Sequence, residues 1–193
     1  MLLGQQGYGS VLIEGRRVLL LPGWQDSGPG HWQTVWEQQH GWRRVEQADW
    51  LWPRRGDWMA RLDEVLLEDD RPALLAAHSL GCHLVAAWAA HSRHVACVQG
   101  ALLVAPPDIE REGTPPQLAS WRPVVRQRLP FGALALISTD DPFSAADRAQ
   151  SLAEDWGAQV QLVGARGHVN AESGLGNWPQ GLRWLAGLAE GAA

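Results

Sequence analysis

Short runs that suit buried strands alternate along this chain with longer stretches of helical periodicity. The runs are Arg17–Leu21 (RVLLL), a weaker Arg43–Gln47, Pro72–Ala77 (PALLAA), Val98–Ala105 (VQGALLVA), Phe131–Ser138 (FGALALIS) and Ala158–Val163 (AQVQLV). Between them lie Gly30–His40, Gly56–Glu68, Leu80–His91 and Ala145–Trp156, and Trp178–Leu188 closes the series. In Gly30–His40, residues Trp32, Val35 and Trp36 share one helical face, and in Gly56–Glu68 Leu62, Val65 and Leu66 do. Strands that are apolar almost throughout belong in a parallel sheet covered on both faces. The expected fold class is therefore α/β: a three-layer α/β/α sandwich with a mostly parallel sheet of about six strands. Val11–Ile13 is a candidate edge strand. Pro106–Pro130, rich in proline, is a candidate lid.

At 193 residues the chain fits one domain, 1–193, with its core over about 17–189. The net charge of −5 speaks against a nucleic-acid partner, which would require a basic face. All 16 basic residues are Arg, which excludes lysine Schiff-base, Walker-A and lysine-base chemistry. Met1–Ser10 shows no secretory pattern, and no apolar run is long enough to span a membrane. With Cys82 and Cys97 as the only cysteines, a reduced, cytoplasmic protein is expected. These cysteines and the nearby His83, His91 and His94 lack the paired short spacings of a zinc site, so no metal is expected.

Ligands of open parallel sheets bind beyond the carboxyl ends of the strands. A serine, an aspartate and a histidine follow three of the strands here, in the order Ser79, Asp141, His168. The segment Ala77-His78-Ser79-Leu80-Gly81 leaves a strand and opens an apolar helix, the setting of a nucleophile elbow. Ser79 is the candidate nucleophile, although a helix-capping serine would look similar. Asp141 is the candidate orienting acid, with Asp140 as competitor. His168, on a Gly-flanked loop, is the candidate general base. The amides of Leu80 and Trp24, with Gln25 as the alternative to Trp24, are the candidate oxyanion donors. Trp24, Gln25, Trp50 and Trp52 are candidate pocket residues. Asp26, Ser27, His31 and Trp32 either line the substrate mouth or, the favoured reading, seed the helix that follows the first strand, with Asp26 or Ser27 as its cap, and Asn170, Ser173 and Asn177 are expected in turns.

Taken together, Leu21-Pro-Gly-Trp-Gln-Asp-Ser27, His31-Trp-Gln33, Ala77-His-Ser-Leu-Gly81, Ser138-Thr-Asp-Asp-Pro142 and Gly167–Gly181 (GHVNAESGLGNWPQG) resemble one family. It is the small serine-hydrolase family of the α/β-hydrolase superfamily that includes retinoblastoma-binding protein nine and the YdeN-like proteins. The resemblance runs from about Val18 to Leu188. It implies a minimal α/β-hydrolase fold without a large cap domain, and a triad at Ser79, Asp141 and His168. Ala77 departs from the usual elbow glycine. The L-x-C-x-E motif suggested by the family's eukaryotic name does not occur here, so no such protein partner carries over.

The resulting expectation is a cofactor-free serine hydrolase (carboxylesterase-like) acting on a small-molecule ester, thioester or amide through an acyl-enzyme. The alternatives are an acyltransferase and a non-catalytic protein-interaction module on the same fold.

Overall fold

The computed structural model describes Ile13 and residues 16–190. Its six strands are β1 (Arg17–Leu21), β2 (Arg43–Arg44), β3 (Ala73–His78), β4 (Val98–Val104), β5 (Gly132–Ile137) and β6 (Gln159–Leu162). The α-helices are α1 (Trp32–His40), α2 (Arg55–Leu67), α3 (Leu80–His91), α4 (Ala146–Asp155) and α5 (Pro179–Ala189). The sheet order is β2-β1-β3-β4-β5-β6, and every pairing is parallel. The second strand is shorter than the sequence pattern predicts: after Arg44 only the Val45 amide continues the ladder, donating to the Leu20 carbonyl at 2.9 Å. Of the candidate edge strand at 11–13, residues 11 and 12 fall outside the described residues, and Ile13 is helical and buried.

Side chains alternate across the strands, so the inner strands β1, β3, β4 and β5 feed two cores. Leu19, Leu21, Leu75, Ala77 and Leu103 face one side, with residues of α2, α3 and α4. Val18, Leu20, Leu74, Ala76 and Leu102 face the other, with α1 and α5. The second core is tryptophan-rich: Trp36 stacks on Trp178 at 5.8 Å, and Trp32 meets both edge-on. Gln33, fully buried on α1, ties the strand ends together by donating to the carbonyls of Leu21 and Ala76 at 3.0 and 2.9 Å.

The chain leaves β1 toward β2 and then crosses back to place β3 on β1's other side. The β1 and β3 loops therefore diverge at a topological switch point, where this architecture opens a crevice. Among the described residues no helix is long and apolar enough to cross a membrane.

Candidate active site

Ser79 sits on the turn from β3 into α3 with φ 54° and ψ −122°, backbone space that a non-glycine residue rarely adopts. The turn holds because its amides are bonded: Ser79 N–H donates to the Val104 carbonyl at 2.9 Å, and Cys82 N–H donates to that of Ser79 at 2.9 Å. Two glycines make room for it. A Cβ on Gly81 would overlap the Leu21 carbonyl oxygen, and one on Gly23 would lie 2.7 Å from the Ser79 Cβ. Ala77 is tolerated because its methyl points into the core rather than into the turn.

Ser79 does not cap α3 with its side chain. Its Oγ lies 2.8 Å from His168 Nε2 instead. On the far side of the imidazole, Nδ1 is 3.0 and 2.9 Å from the two Asp141 carboxylate oxygens. The Asp141 and His168 side chains are only 4% and 10% exposed, so this pair is shielded from water. The Phe143 amide orients Asp141 by donating to Oδ1 at 2.9 Å. Asp140 is engaged elsewhere: its Oδ1 accepts from the Ser138 hydroxyl and the Gly167 amide, at 2.8 and 2.7 Å. Those bonds also hold its carboxyl below the usual range.

The His168 loop is clamped peptide by peptide. Arg166 N–H donates to Ser138 Oγ at 2.9 Å, and the Ser173 hydroxyl donates to the Arg166 carbonyl at 2.6 Å. His78 Nε2 is 2.8 Å from the His168 carbonyl, and Trp32 Nε1–H donates to that of Val169 at 3.0 Å. Burial keeps the His78 pKa well below the ordinary histidine value, so its ring is neutral and donates from Nε2. His78 and Trp32 thus act on the loop that carries His168. No local sequence pattern marks this task, because both partners are backbone carbonyls distant in sequence.

The loop after β1 is held as firmly. Gln25 N–H donates to the Trp50 carbonyl at 3.1 Å, and Trp24 Nε1–H donates to that of Leu51 at 3.0 Å. Arg44 Nη1 reaches Asp26 Oδ1 at 2.6 Å and the Ser27 carbonyl at 2.9 Å. Ser27 Oγ donates to Gln33 Oε1 at 2.7 Å. With the Gln25 amide spent on Trp50, the main-chain N–H groups left without a partner among the described residues include those of Trp24 and Leu80. The cap of α1 is neither Asp26 nor Ser27. His31 Nδ1 accepts the Gln33 amide at 3.1 Å, while Asp26 is drawn away to Arg44. Burial lowers the His31 pKa to about 3. Asn170 and Ser173 form a capping box around the single turn Ala171–Ser173, as turn residues should.

A cavity of about 550 Å³ opens over Ser79 and His168, with Trp24, Gln25, Ile109, Leu118 and Phe143 in its wall. Trp50 and Trp52, expected in the pocket, do not line it. Trp50 packs edge-on against Trp58 in the core, and Trp52 is 57% exposed. Their loop serves the site from behind, through the Trp50 and Leu51 carbonyls. The Pro106–Pro130 segment supplies one cavity wall. It is pinned to the start of α2 by Trp121 Nε1–H and the Ser120 hydroxyl, both donating to the Pro53 carbonyl. Cys82 is buried, and burial pushes its thiol pKa up. Among the described residues no group of three or more His, Cys, Asp or Glu is placed to hold a metal ion.

A protein of Pectobacterium atrosepticum classed as a YdeN-like hydrolase is similar over 94% of each chain, at 28% identity and a TM-score of 0.81. The ydeN product of B. subtilis shares 20% identity, with coverage of 90% of this chain and 98% of that one and a TM-score of 0.67. An esterase from a Rhodococcus species shares the fold at 16% identity, with coverage of 80% and 84% and a TM-score of 0.60. No curated protein sequence matches the chain. The serine hydrolase family model matches residues 18–187, a span that includes Ser79, Asp141 and His168, and the chain belongs to that family.

Proposed function

We propose that this serine hydrolase cleaves carboxylic esters through a Ser79–His168–Asp141 triad and an acyl-enzyme. The observation that carries the reading is the unbroken hydrogen-bonded chain from Ser79 Oγ through the imidazole to the Asp141 carboxylate. Ser79 Oγ attacks the ester carbonyl as its proton passes to His168 Nε2. Asp141 holds Nδ1–H and stabilises the imidazolium. The amides of Trp24 and Leu80 receive the oxyanion. Collapse breaks the bond to the alcohol oxygen, which takes the proton from His168. Water then attacks the acyl-Ser79 carbonyl, giving its proton to His168, and the carboxylic acid leaves as Ser79 regains its hydrogen. No step calls on a cofactor.

The cavity is of ordinary ligand size, and among the described residues no separate cap domain lies above it, which favours small or accessible acyl groups. Hydrolysis of p-nitrophenyl esters from acetate to decanoate tests the reading. Ser79→Ala and His168→Ala are expected to lower kcat by about 10⁴-fold or more in folded protein. A panel in which Ser79→Ala hydrolyses esters as fast as the wild type contradicts the mechanism. One in which only long chains react contradicts the size preference.

A further inference from the structure

The charged groups in the cavity wall are unequally matched. Asp26 is paired with Arg44 at 2.6 Å and Asp108 with Arg148 at 3.2 Å. Arg111 has no carboxylate within 4.0 Å among the described residues, yet it is fixed in place. Its Nη1 donates to the Pro142 carbonyl at 2.6 Å, and its guanidinium lies 5.5 Å from the centre of the Phe143 ring. That ring in turn packs edge-on against the His168 imidazole at 4.5 Å. A permanent positive charge is thus anchored one aromatic ring away from the general base. The anchoring uses one Nη1 hydrogen and one face of the guanidinium, which leaves further N–H donors for a ligand. Arg111 and the remaining lining carboxylate, Glu172, are both exposed, but among the described residues no side-chain hydrogen bond or ion pair holds Glu172, so it is not preorganised as Arg111 is.

We infer that Arg111 selects substrates carrying a carboxylate, so that the preferred substrate class is an ester of a dicarboxylic acid with one acid group free. This rests on the ester-hydrolase reading above. The free carboxylate would pair with Arg111 while the ester carbonyl lies at Ser79, and the spacing between them sets the chain length that fits.

The test uses monoethyl and diethyl esters of succinate, glutarate and adipate, followed by acid release. For the best-fitting chain length, Arg111→Gln lowers the ratio of monoester to diester kcat/KM about 5- to 10-fold, the size of one partly exposed charge-assisted hydrogen bond. The loss falls in KM rather than kcat, and Arg111→Lys restores most of the ratio. An equal loss on both esters, or no change in the ratio at any chain length, overturns the assignment. Calorimetry on Ser79→Ala protein separates this proposal from the one beneath it. Monoester affinity that depends on Arg111, in a protein whose wild type hydrolyses neither ester, would uphold the carboxylate site and defeat the ester-hydrolase reading. Diester hydrolysis with an unaltered ratio in Arg111→Gln would do the reverse.

Discussion

The two ends of the sheet are built under different rules. Where the chain enters β2 and β6, left-handed backbone falls on glycine, at Gly41 and Gly157. Where it leaves the strands, glycine serves too, as at Gly164 and Gly167 after β6, but left-handed backbone also falls on residues with side chains: Gln25 and Asp26 after β1, Ser79 after β3, Ala105 after β4 and Val169 after β6. Each such residue costs about 1–2 kcal/mol relative to a relaxed conformation. They persist because the carboxyl edge is cross-braced by Gln33, Arg44, His78 and Trp32. One end of the sheet is optimised for stability, whereas the other gives up stability to aim a hydroxyl, an imidazole and free amides at one cavity.

The largest test of this contrast compares two glycines. Gly81→Ala forces a methyl onto the backbone at the end of β1 and is expected to destabilise the fold by about 3 kcal/mol. Gly41→Ala meets open space and loses only its left-handed preference, about 1 kcal/mol. Equal losses in urea unfolding would erase the distinction between the two ends. Gln33→Leu removes both donations to the Leu21 and Ala76 carbonyls, leaves the Ser27 hydroxyl without its acceptor, and is expected to cost about 2 kcal/mol. It should also lower kcat, since the β1 and β3 loops lose their common brace, and a loss of stability with full kcat would contradict that role.

Buried neutral histidines give the carboxyl edge a pH signature. His31 has a folded pKa of about 3 and His83 one of about 4, and His78 is also lowered, all through burial. Unfolded histidine titrates near 6.5, so below that pH the unfolded chain binds protons that the folded chain refuses. Stability therefore falls as pH drops from about 6.5 toward 4, each histidine contributing up to about 1.4 kcal/mol per pH unit. His31→Asn keeps a cap on α1 and should flatten that slope by one such contribution, as read from urea midpoints between pH 7 and 4.5. A slope unchanged by the substitution would show that His31 is not the group refusing the proton. The smallest expected effect has the opposite sign. Ser79→Gly removes the hydroxyl but suits the φ and ψ of the turn, and should raise stability by about 1 kcal/mol. A destabilised Ser79→Gly would mean that the elbow is not strained.

The parallel six-stranded sheet and the two-sided core were legible in the alternation of apolar runs, because burial on both faces leaves a continuous pattern; the order of the strands in the sheet was not. The strand-to-helix turn at Ser79 was legible because Ala77–Gly81 joins a strand signal to a helix signal, and of the two aspartates it is Asp141 whose carboxylate lies against His168 Nδ1. The bracing was not legible. Arg44, His78 and Trp32 act on backbone atoms or side chains of other segments, and no local pattern marks such a contact. Tryptophan richness misled at Trp50 and Trp52, since an indole on a loop serves as well for packing as for a pocket. The α1 cap was misread because His31 is an unusual cap, while Asp26 and Ser27 are common ones that a distant arginine and a glutamine had claimed.

The most direct measurement of the central claim is labelling of the purified protein with a fluorophosphonate, followed by mass analysis of the modified peptide. The account predicts one adduct per chain, on Ser79, forming at least about 100-fold faster than in His168→Ala protein. A folded wild type that stays unlabelled, carries the adduct elsewhere, or reacts no faster than His168→Ala would contradict it.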